Sequence, residues 1–219
     1  MISTKRWMAG AMMLAFAHGA VANEATKGQE VVDAATATYR EFIADKDMSW
    51  FRSHVGEAKG MLIVPHYGKA GFIIGGAGGS GVLVGNDPAK GWSNPAFYTM
   101  AEASIGLQIG AQGSKMIFLV MTDKGMRKMI DGKAKLGADM NVAVGPVGGG
   151  ATVETADVYA FAKSKGAYGG VSAEGGVVQV FAERNSAYYG KAVSPVDIVM
   201  KHAVSNDGAK GLVAAVSGM

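Results

Sequence analysis

The stretch Gly71-Phe-Ile-Ile-Gly-Gly-Ala-Gly-Gly-Ser-Gly-Val-Leu-Val-Gly85 combines short apolar runs with closely spaced glycines. Within it, residues 76–81 match the G-x-G-x-x-G pattern of dinucleotide-binding loops. Such a loop holds a pyrophosphate only when a strand precedes the glycines and a helix follows them. The chain continues as Val82-Leu-Val-Gly-Asn-Asp-Pro88 with Pro95 close behind, which cannot form that helix. The sequence therefore predicts a glycine-rich bend between two strands, with no nucleotide bound.

Similar apolar runs bounded by glycine or proline recur through the middle of the chain, which is typical of buried strands. The strand candidates are residues 60–64, 71–74, 82–84, 97–112, 115–121, 140–144, 152–162, 167–172 and 177–181. Glycine inside a strand marks a bulge, a bend or a close backbone approach. The 33 glycines of the chain therefore indicate a strongly curved sheet.

Helical patterns lie mainly at the two ends. An apolar stripe at helical spacing predicts an amphipathic helix from Gln29 to about Ala44, whose polar face is acidic overall. A short helix is expected near residues 50–56 and a final one from Pro195 to His202, followed by a loose tail over 205–219. Together the patterns predict an α+β domain with a strongly curved, glycine-rich antiparallel sheet or barrel, flanked by N- and C-terminal helices.

The first 22 residues resemble a secretory leader. Lys5 and Arg6 precede a short apolar run, and Ala20-Val21-Ala22 forms a small-x-small cleavage site before Asn23. We therefore expect a signal peptide over residues 1–22 and a periplasmic or secreted protein. The chain has no cysteine, which excludes a lipidated cysteine anchor and disulfides.

Charge and composition exclude several function classes. Without Lys5 and Arg6 the chain holds 19 basic against 18 acidic residues, so its net charge of +1 does not favour nucleic-acid binding. No cysteine nucleophile, G-x-S-x-G elbow or helical histidine pair occurs. The remaining candidate for acid–base or metal chemistry is His66, and Ser80 and Ser93 lie in turn-forming sequence. The sequence thus favours a non-enzyme without metal or cofactor.

The segment from Lys124 to Lys135 is the strongest functional candidate. Thr122 can cap a helix over 123–130. The segment holds five basic residues and a single acidic one, Asp131. A short basic amphipathic helix can lie on an anionic membrane, with its apolar side in the headgroup region. The alternative is a solvated helix whose methionines belong to the core. The candidate lipid-binding residues are Lys124, Met126, Arg127, Lys128, Met129, Lys133 and Lys135.

Several motifs occur in the order seen in the SYLF domain family. They are Ala58-Lys-Gly-Met-Leu-Ile-Val-Pro65, Lys69-Ala-Gly-Phe72, Gly91-Trp-Ser-Asn-Pro95, Ser104-Ile-Gly-Leu-Gln-Ile-Gly110, Gly145-Pro146, Ser164-Lys-Gly-Ala-Tyr-Gly-Gly-Val-Ser172 and residues 185–190. The chain resembles this family from about Val31 to Val204, and we expect a single SYLF-like domain over 23–204. Lys59 and Lys69 match motif positions to which no contact is assigned.

This resemblance implies a non-catalytic, lipid-binding domain, because the family includes phosphoinositide-binding proteins and actin-binding proteins of the yeast actin patch. The chain departs from eukaryotic members in its acidic first helix, and an exported protein would meet neither phosphoinositides nor actin. We therefore expect peripheral association with anionic phospholipid through a basic patch and apolar insertion. The alternatives are an envelope module that binds a protein partner, with Tyr98, Tyr168, Tyr188 and Tyr189 as contacts, and a hydrolase built around His66.

Overall fold

The computed structural model describes residues 5–68, 77–102, 113–148, 155–164, 167–170 and 175–218. The helices are α1 (Lys5–Ala44), α2 (Ser49–His54), α3 (Asp123–Ile130), α4 (Ala182–Tyr189) and α5 (Lys210–Val216). Single 3-10 turns cover Lys46–Met48, Val55–Glu57 and Asp207–Ala209, and a π-helix covers Val196–Met200. The strands are β1 (Gly60–Tyr67), β2 (Ala77–Asp87), β3 (Gly91–Trp92), β4 (Ala96–Glu102), β5 (Ser114–Val120), β6 (Lys133–Lys135), β7 (Val142–Val144), β8 (Val158–Ser164), β9 (Ala167–Gly170) and β10 (Gly176–Val180).

The strands form one strongly curled sheet. Its order is β6-β10-β4-β2-β1-β5-β8-β7, with β3 added to β2 and β9 added to β8. All described pairs are antiparallel except β7 with β8. In a flat sheet the edge strands β6 and β7 would be about 34 Å apart, whereas the chain between Lys135 and Val142 reaches at most about 25 Å. The sheet must therefore curl into a half-barrel, which confirms the predicted fold class.

Both faces of the sheet are buried. Leu62 and Val64 of β1 point into the half-barrel, where they join a cluster that includes α3 and the π-helix. The alternating residues Met61 and Ile63 point outward and join a second cluster that includes α1 and α2. Because side chains on successive strand positions enter different cores, the strands read as continuous apolar runs rather than alternating ones.

Helix α1 covers the outer face of the sheet. Val32, Ala35 and Phe42 are fully buried along one side, as the apolar stripe predicts. Glu41 forms ion pairs with both Lys115 of β5 and Lys163 of β8, and these bonds hold the pKa of its carboxyl below the usual range. The helix begins at Lys5, upstream of the segment that we predicted to be helical. No helix within the described ranges is long and apolar enough to cross a membrane.

The glycine-rich stretch forms a continuous strand where the structure describes it. Residues 77–87 are β2, which pairs with β1 on one side and β4 on the other, so the predicted bend between two strands does not occur there. A Cβ atom at Gly79 would lie 2.2 Å from the His66 carbonyl oxygen, and one at Gly81 would lie 2.4 Å from that of Ile63. The glycines thus allow close approach of two backbones. The strand candidate 71–74 lies outside the described residues.

Strand β1 continues past Pro65, where the sequence predicts its end. The pairing of β1 with β5 shifts register between Val64 and Tyr67, so Pro65 lies at a bulge. Proline has no N–H to donate to a ladder, and a bulge is one of the few places in a sheet that tolerates it.

The C-terminal segment also differs from the loose tail expected over 205–219. Helix α5 packs on α1, and Ala209, Leu212 and Val216 are buried there. Its small residues give a weak apolar signal in the sequence, but they allow two helices to approach closely. The sequence does not predict helix α4, because the helix is largely polar. The Asn185 side chain of α4 accepts a hydrogen bond from Phe97 N and donates one to the Phe97 carbonyl oxygen in the core.

A Gly79→Ala change is expected to destabilise the fold by about 2 kcal/mol or more, since overpacking against backbone cannot be relieved by a rotamer change. Gly56→Ala is the matched control, because a Cβ atom there would meet nothing within 4 Å. Thermal unfolding monitored by circular dichroism measures both variants. A Gly79→Ala protein as stable as Gly56→Ala would contradict the close approach of β1 and β2.

Candidate functional site

Helix α3 begins at a capped and anchored N-terminus. The Thr122 hydroxyl accepts a hydrogen bond from Gly125 N at 3.0 Å, which confirms the predicted cap. The same hydroxyl donates to Asp157 Oδ1 at 2.6 Å, and Lys124 Nζ donates to Asp157 Oδ2 at 2.9 Å. Asn141 N also donates to Oδ2, at 3.0 Å. Lys124, a predicted lipid contact, is therefore held in an ion pair that fixes α3 to the start of β8.

The Asp157 carboxylate at the centre of this anchor is 8% exposed. Burial disfavours its charged form, but the hydrogen bonds from Thr122, Asn141 and Lys124 outweigh burial and hold its pKa below the usual range. The group therefore stabilises the fold in its ionised form.

The two predicted methionine contacts lie in the core. Met126 is 5% exposed and Met129 is 1% exposed, and both belong to the cluster inside the half-barrel. Met126 lies against Gly60 and Gly85, which face each other across β1 and β2. A Cβ atom at Gly60 would lie 2.8 Å from Met126 Sδ. The methionines fasten α3 to the sheet, as in the alternative interpretation, and their side chains are not available at the surface.

The remaining predicted contacts are at the surface and form no ion pair within the described residues. Arg127 lies on α3, and Lys133 and Lys135 lie on β6, where they flank the buried Ala134 and so share the outer face. Together with the half-buried Lys128 they form a set that we call the basic patch: Arg127, Lys128, Lys133 and Lys135. Over the part of the chain that the structure describes, none of these four forms an ion pair, whereas Lys59, Lys115, Lys124 and Lys163 do.

Arg127 also borders a cleft at the mouth of the half-barrel. The cleft has a volume of about 270 Å³ and is lined by Lys59, Gly85, Asn86, Asp87, Pro88, Asp123, Met126, Arg127, Val199 and Met200. Lys59 Nζ lies 3.9 Å from Asp123 Oδ1, with both side chains substantially exposed. The sequence marked Lys59 only as a motif position, because the strands and helices that form the cleft are distant along the chain.

The other residues considered from the sequence have structural surroundings. Ser93 Oγ accepts a hydrogen bond from Gly85 N at 2.9 Å, and Ser80 Oγ accepts one from Arg184 Nη1 at 3.2 Å. His66 is exposed on β1 and does not line the cleft. Within the described residues, no group of three or more histidine, aspartate or glutamate side chains is arranged to hold a metal ion.

Comparison with known proteins identifies the family. The sequence profile described as "Ysc84: Las17-binding protein actin regulator" matches residues 101–219, just over half of the chain. The chain belongs to the Ysc84 (SYLF) family. This match includes α3, the basic patch and the π-helix, and it confirms the resemblance drawn from the motifs.

Individual proteins of the Ysc84 family are also similar to this chain in sequence. Protein YSC84 of Saccharomyces cerevisiae is 34% identical over 141 residues, covering 61% of this chain and 30% of that protein. LAS seventeen-binding protein 3 of the same organism has the same identity and coverage. The human SH3 domain-containing YSC84-like protein 1 is 32% identical over 151 residues, covering 66% of this chain and 44% of that protein.

The chain thus spans less than half the length of these curated relatives. The family description and the name of LAS seventeen-binding protein 3 refer to binding or regulation rather than to catalysis.

An Asp157→Asn variant is expected to be about 2 kcal/mol less stable at pH 7, because it loses charge-assisted hydrogen bonds at the α3 anchor. The folded pKa is lowered, so the stabilisation is present above the unfolded value near pH 4 and is lost as the pH falls through the folded value. The difference from wild type should therefore shrink below pH 4. Urea unfolding at several pH values measures it.

The control for this series is Asp131→Asn, at an exposed carboxylate at the end of α3, which should change stability by less than about 0.5 kcal/mol. Equal pH dependence of Asp157→Asn and wild type would contradict the role of Asp157.

Proposed function

We propose that this domain is a non-catalytic module that associates peripherally with anionic phospholipid through the basic patch. The observation that carries this proposal is the set of four cationic side chains on one connected segment, none of which pairs with a carboxylate in the described residues. Unpaired cations near a surface add about 1 kcal/mol each to binding at an anionic membrane. The buried methionines beside them keep α3 in place, so the charges are presented by a rigid element.

The apolar part of the proposed membrane contact does not come from the methionines of α3. Met126 and Met129 are buried, so their side chains do not supply an apolar contact at the surface. Met200 is 45% exposed and borders the same cleft as Arg127. We assign the apolar part of the membrane contact to this side chain.

The setting that we propose is the periplasm, after cleavage between Ala22 and Asn23. Just beyond this position Glu24 forms an ion pair with the buried Arg184 of α4, with a distance of 2.8 Å between Glu24 Oε2 and Arg184 Nη2. Cleavage at residue 22 leaves that pair intact, so the start of the mature helix would stay docked. Intact mass of protein from a periplasmic fraction checks this, and a mass that retains residues 1–22 would contradict it.

Vesicle co-sedimentation tests the lipid proposal. We expect binding to phosphatidylglycerol vesicles, no binding to phosphatidylcholine vesicles, and a sharp loss of binding between about 0.05 and 0.5 M salt, where the screening length falls to a few ångströms. Reversing the charge of the basic patch (Arg127, Lys128, Lys133 and Lys135 to Glu) should weaken binding by about 1000-fold or more, from about 1 kcal/mol per residue.

The matched control reverses four exposed cations elsewhere, Arg40, Lys46, Lys191 and Lys210, with the same change in net charge. It should bind far better than the patch variant. Equal losses of vesicle binding in the two variants would show that net charge, and not the basic patch, determines binding. Binding that does not depend on salt would overturn the electrostatic mechanism.

A second candidate function is binding to a protein partner, which the family description and the name of LAS seventeen-binding protein 3 favour. The tyrosines suggested as contacts do not support it as a group, since Tyr98 and Tyr188 are buried and Tyr168 lies where side chains are not described. Pull-down from envelope extract, together with absence of vesicle binding, would favour this function over lipid association.

A further inference from the structure

The cleft beside Arg127 carries both signs of charge. Lys59 and Arg127 supply cationic groups, and Asp87 and Asp123 supply carboxylates. Backbone N–H groups of Ala89 and Lys90 donate to Asp87 Oδ1 at 2.8 and 3.0 Å, which lowers the pKa of Asp87 and keeps it ionised. The lining is therefore neutral in sum, unlike the basic patch.

These charges are available to a ligand. Lys59 and Asp123 are 3.9 Å apart, at the limit of an ion pair, and their side chains are 41% and 71% exposed. Arg127 has no ion-pair partner among the residues the structure describes. The floor is apolar, formed by Met126 and Val199, which lie on the paired glycines Gly60 and Gly85. A polar ligand here would meet cations and carboxylates above an apolar base.

We propose that this cleft recognises a small zwitterionic phosphate ester with a primary ammonium group, the phosphoethanolamine headgroup of phosphatidylethanolamine. This inference rests on the proposed membrane association and adds a headgroup specificity to it. A purely anionic group would meet the Asp87 and Asp123 carboxylates unfavourably, and a purely cationic one would meet Lys59 and Arg127. A headgroup that holds a phosphate and an ammonium a few ångströms apart satisfies both pairs.

The choice of a primary ammonium follows from donor chemistry. An ammonium has three N–H donors for carboxylate oxygens. A trimethylammonium group has none and is held in proteins chiefly by aromatic faces. The residues that line the cleft include no aromatic side chain, so the cleft suits ethanolamine and not choline.

The π-helix, whose Met200 borders the cleft, is suited to contact with a lipid surface. Val196 and Met200 of the π-helix are 37% and 45% exposed, two of the four exposed large apolar side chains in the described chain. Lys201 lies beside them with its side chain 63% exposed. Apolar side chains flanked by lysine are the usual composition of a segment that enters the headgroup region.

The π-helix is held in this unusual geometry by specific bonds. Lys90 Nζ donates to the carbonyl oxygens of Met200 and Lys201 at 3.3 and 3.4 Å. His202, just beyond, has a left-handed backbone with φ of 54°, and among the described non-glycine residues it alone has a positive φ. Single π-turns and left-handed non-glycine residues are costly and concentrate at functional sites. Here they place Val199 on the floor and Met200 at the rim.

The test uses two kinds of vesicle that contain the same minority of phosphatidylglycerol, with either phosphatidylethanolamine or phosphatidylcholine as the remainder. We expect the ethanolamine vesicles to bind about fivefold more tightly, the value of one partly exposed ion pair. Asp123→Asn should weaken this preference, because it removes one of the two carboxylates available to the ammonium. Asp131→Asn, at an exposed carboxylate outside the cleft, should retain it.

Soluble ligands separate this inference from membrane binding itself. In a ¹H–¹⁵N spectrum, O-phosphoethanolamine should shift the amides of Asn86, Asp87, Asp123 and Arg127, and inorganic phosphate or ethanolamine alone should bind at least about fivefold more weakly. Shifts at these amides without any vesicle binding would support the assignment of the cleft as a phosphoethanolamine site and overturn the proposed function.

Two outcomes would overturn the cleft assignment. One is equal binding to the two vesicle types together with salt-dependent binding to phosphatidylglycerol, which would leave the proposed function standing. The other is inorganic phosphate binding as tightly as phosphoethanolamine, which would make the site a plain phosphate site.

Discussion

The close approach of β2 to β1 is the constraint on which the rest of the structure depends. No side chain fits at Gly79 or Gly81, where a Cβ atom would overlap the backbone of β1. Strands that pack so tightly allow the sheet to curl until its edge strands can be joined by residues 136–141. The concave interior of the half-barrel is filled by side chains of α3 and the π-helix.

Helix α3 connects that core to the surface chemistry. Its inner side holds Met126 and Met129 in the half-barrel, and its N-terminus is tied to Asp157. Its outer side and the strand that follows carry the basic patch. The same helix therefore packs its methionines inside the half-barrel and carries basic side chains at the surface.

Much of the candidate site could be predicted because it is local. A hydroxyl before an amphipathic run predicts the Thr122 cap, and the density of lysine and arginine after it marks the basic patch. The roles of Lys124 and the methionines could not be predicted, since they depend on Asp157, Gly60 and Gly85, which are distant in the sequence. Strand β6 is absent from the predicted strands because three residues are too few to show a period of two.

The sequence by itself determined the fold class and the family, because apolar periodicity, glycine spacing and motif order are properties of neighbouring residues. The tertiary structure alone decided which of the described basic residues form ion pairs and which apolar side chains are buried. It also decided that Lys59, Asp87 and Arg127 border one cleft. These outcomes depend on contacts between segments far apart in the chain, and the curl of the sheet sets which segments meet.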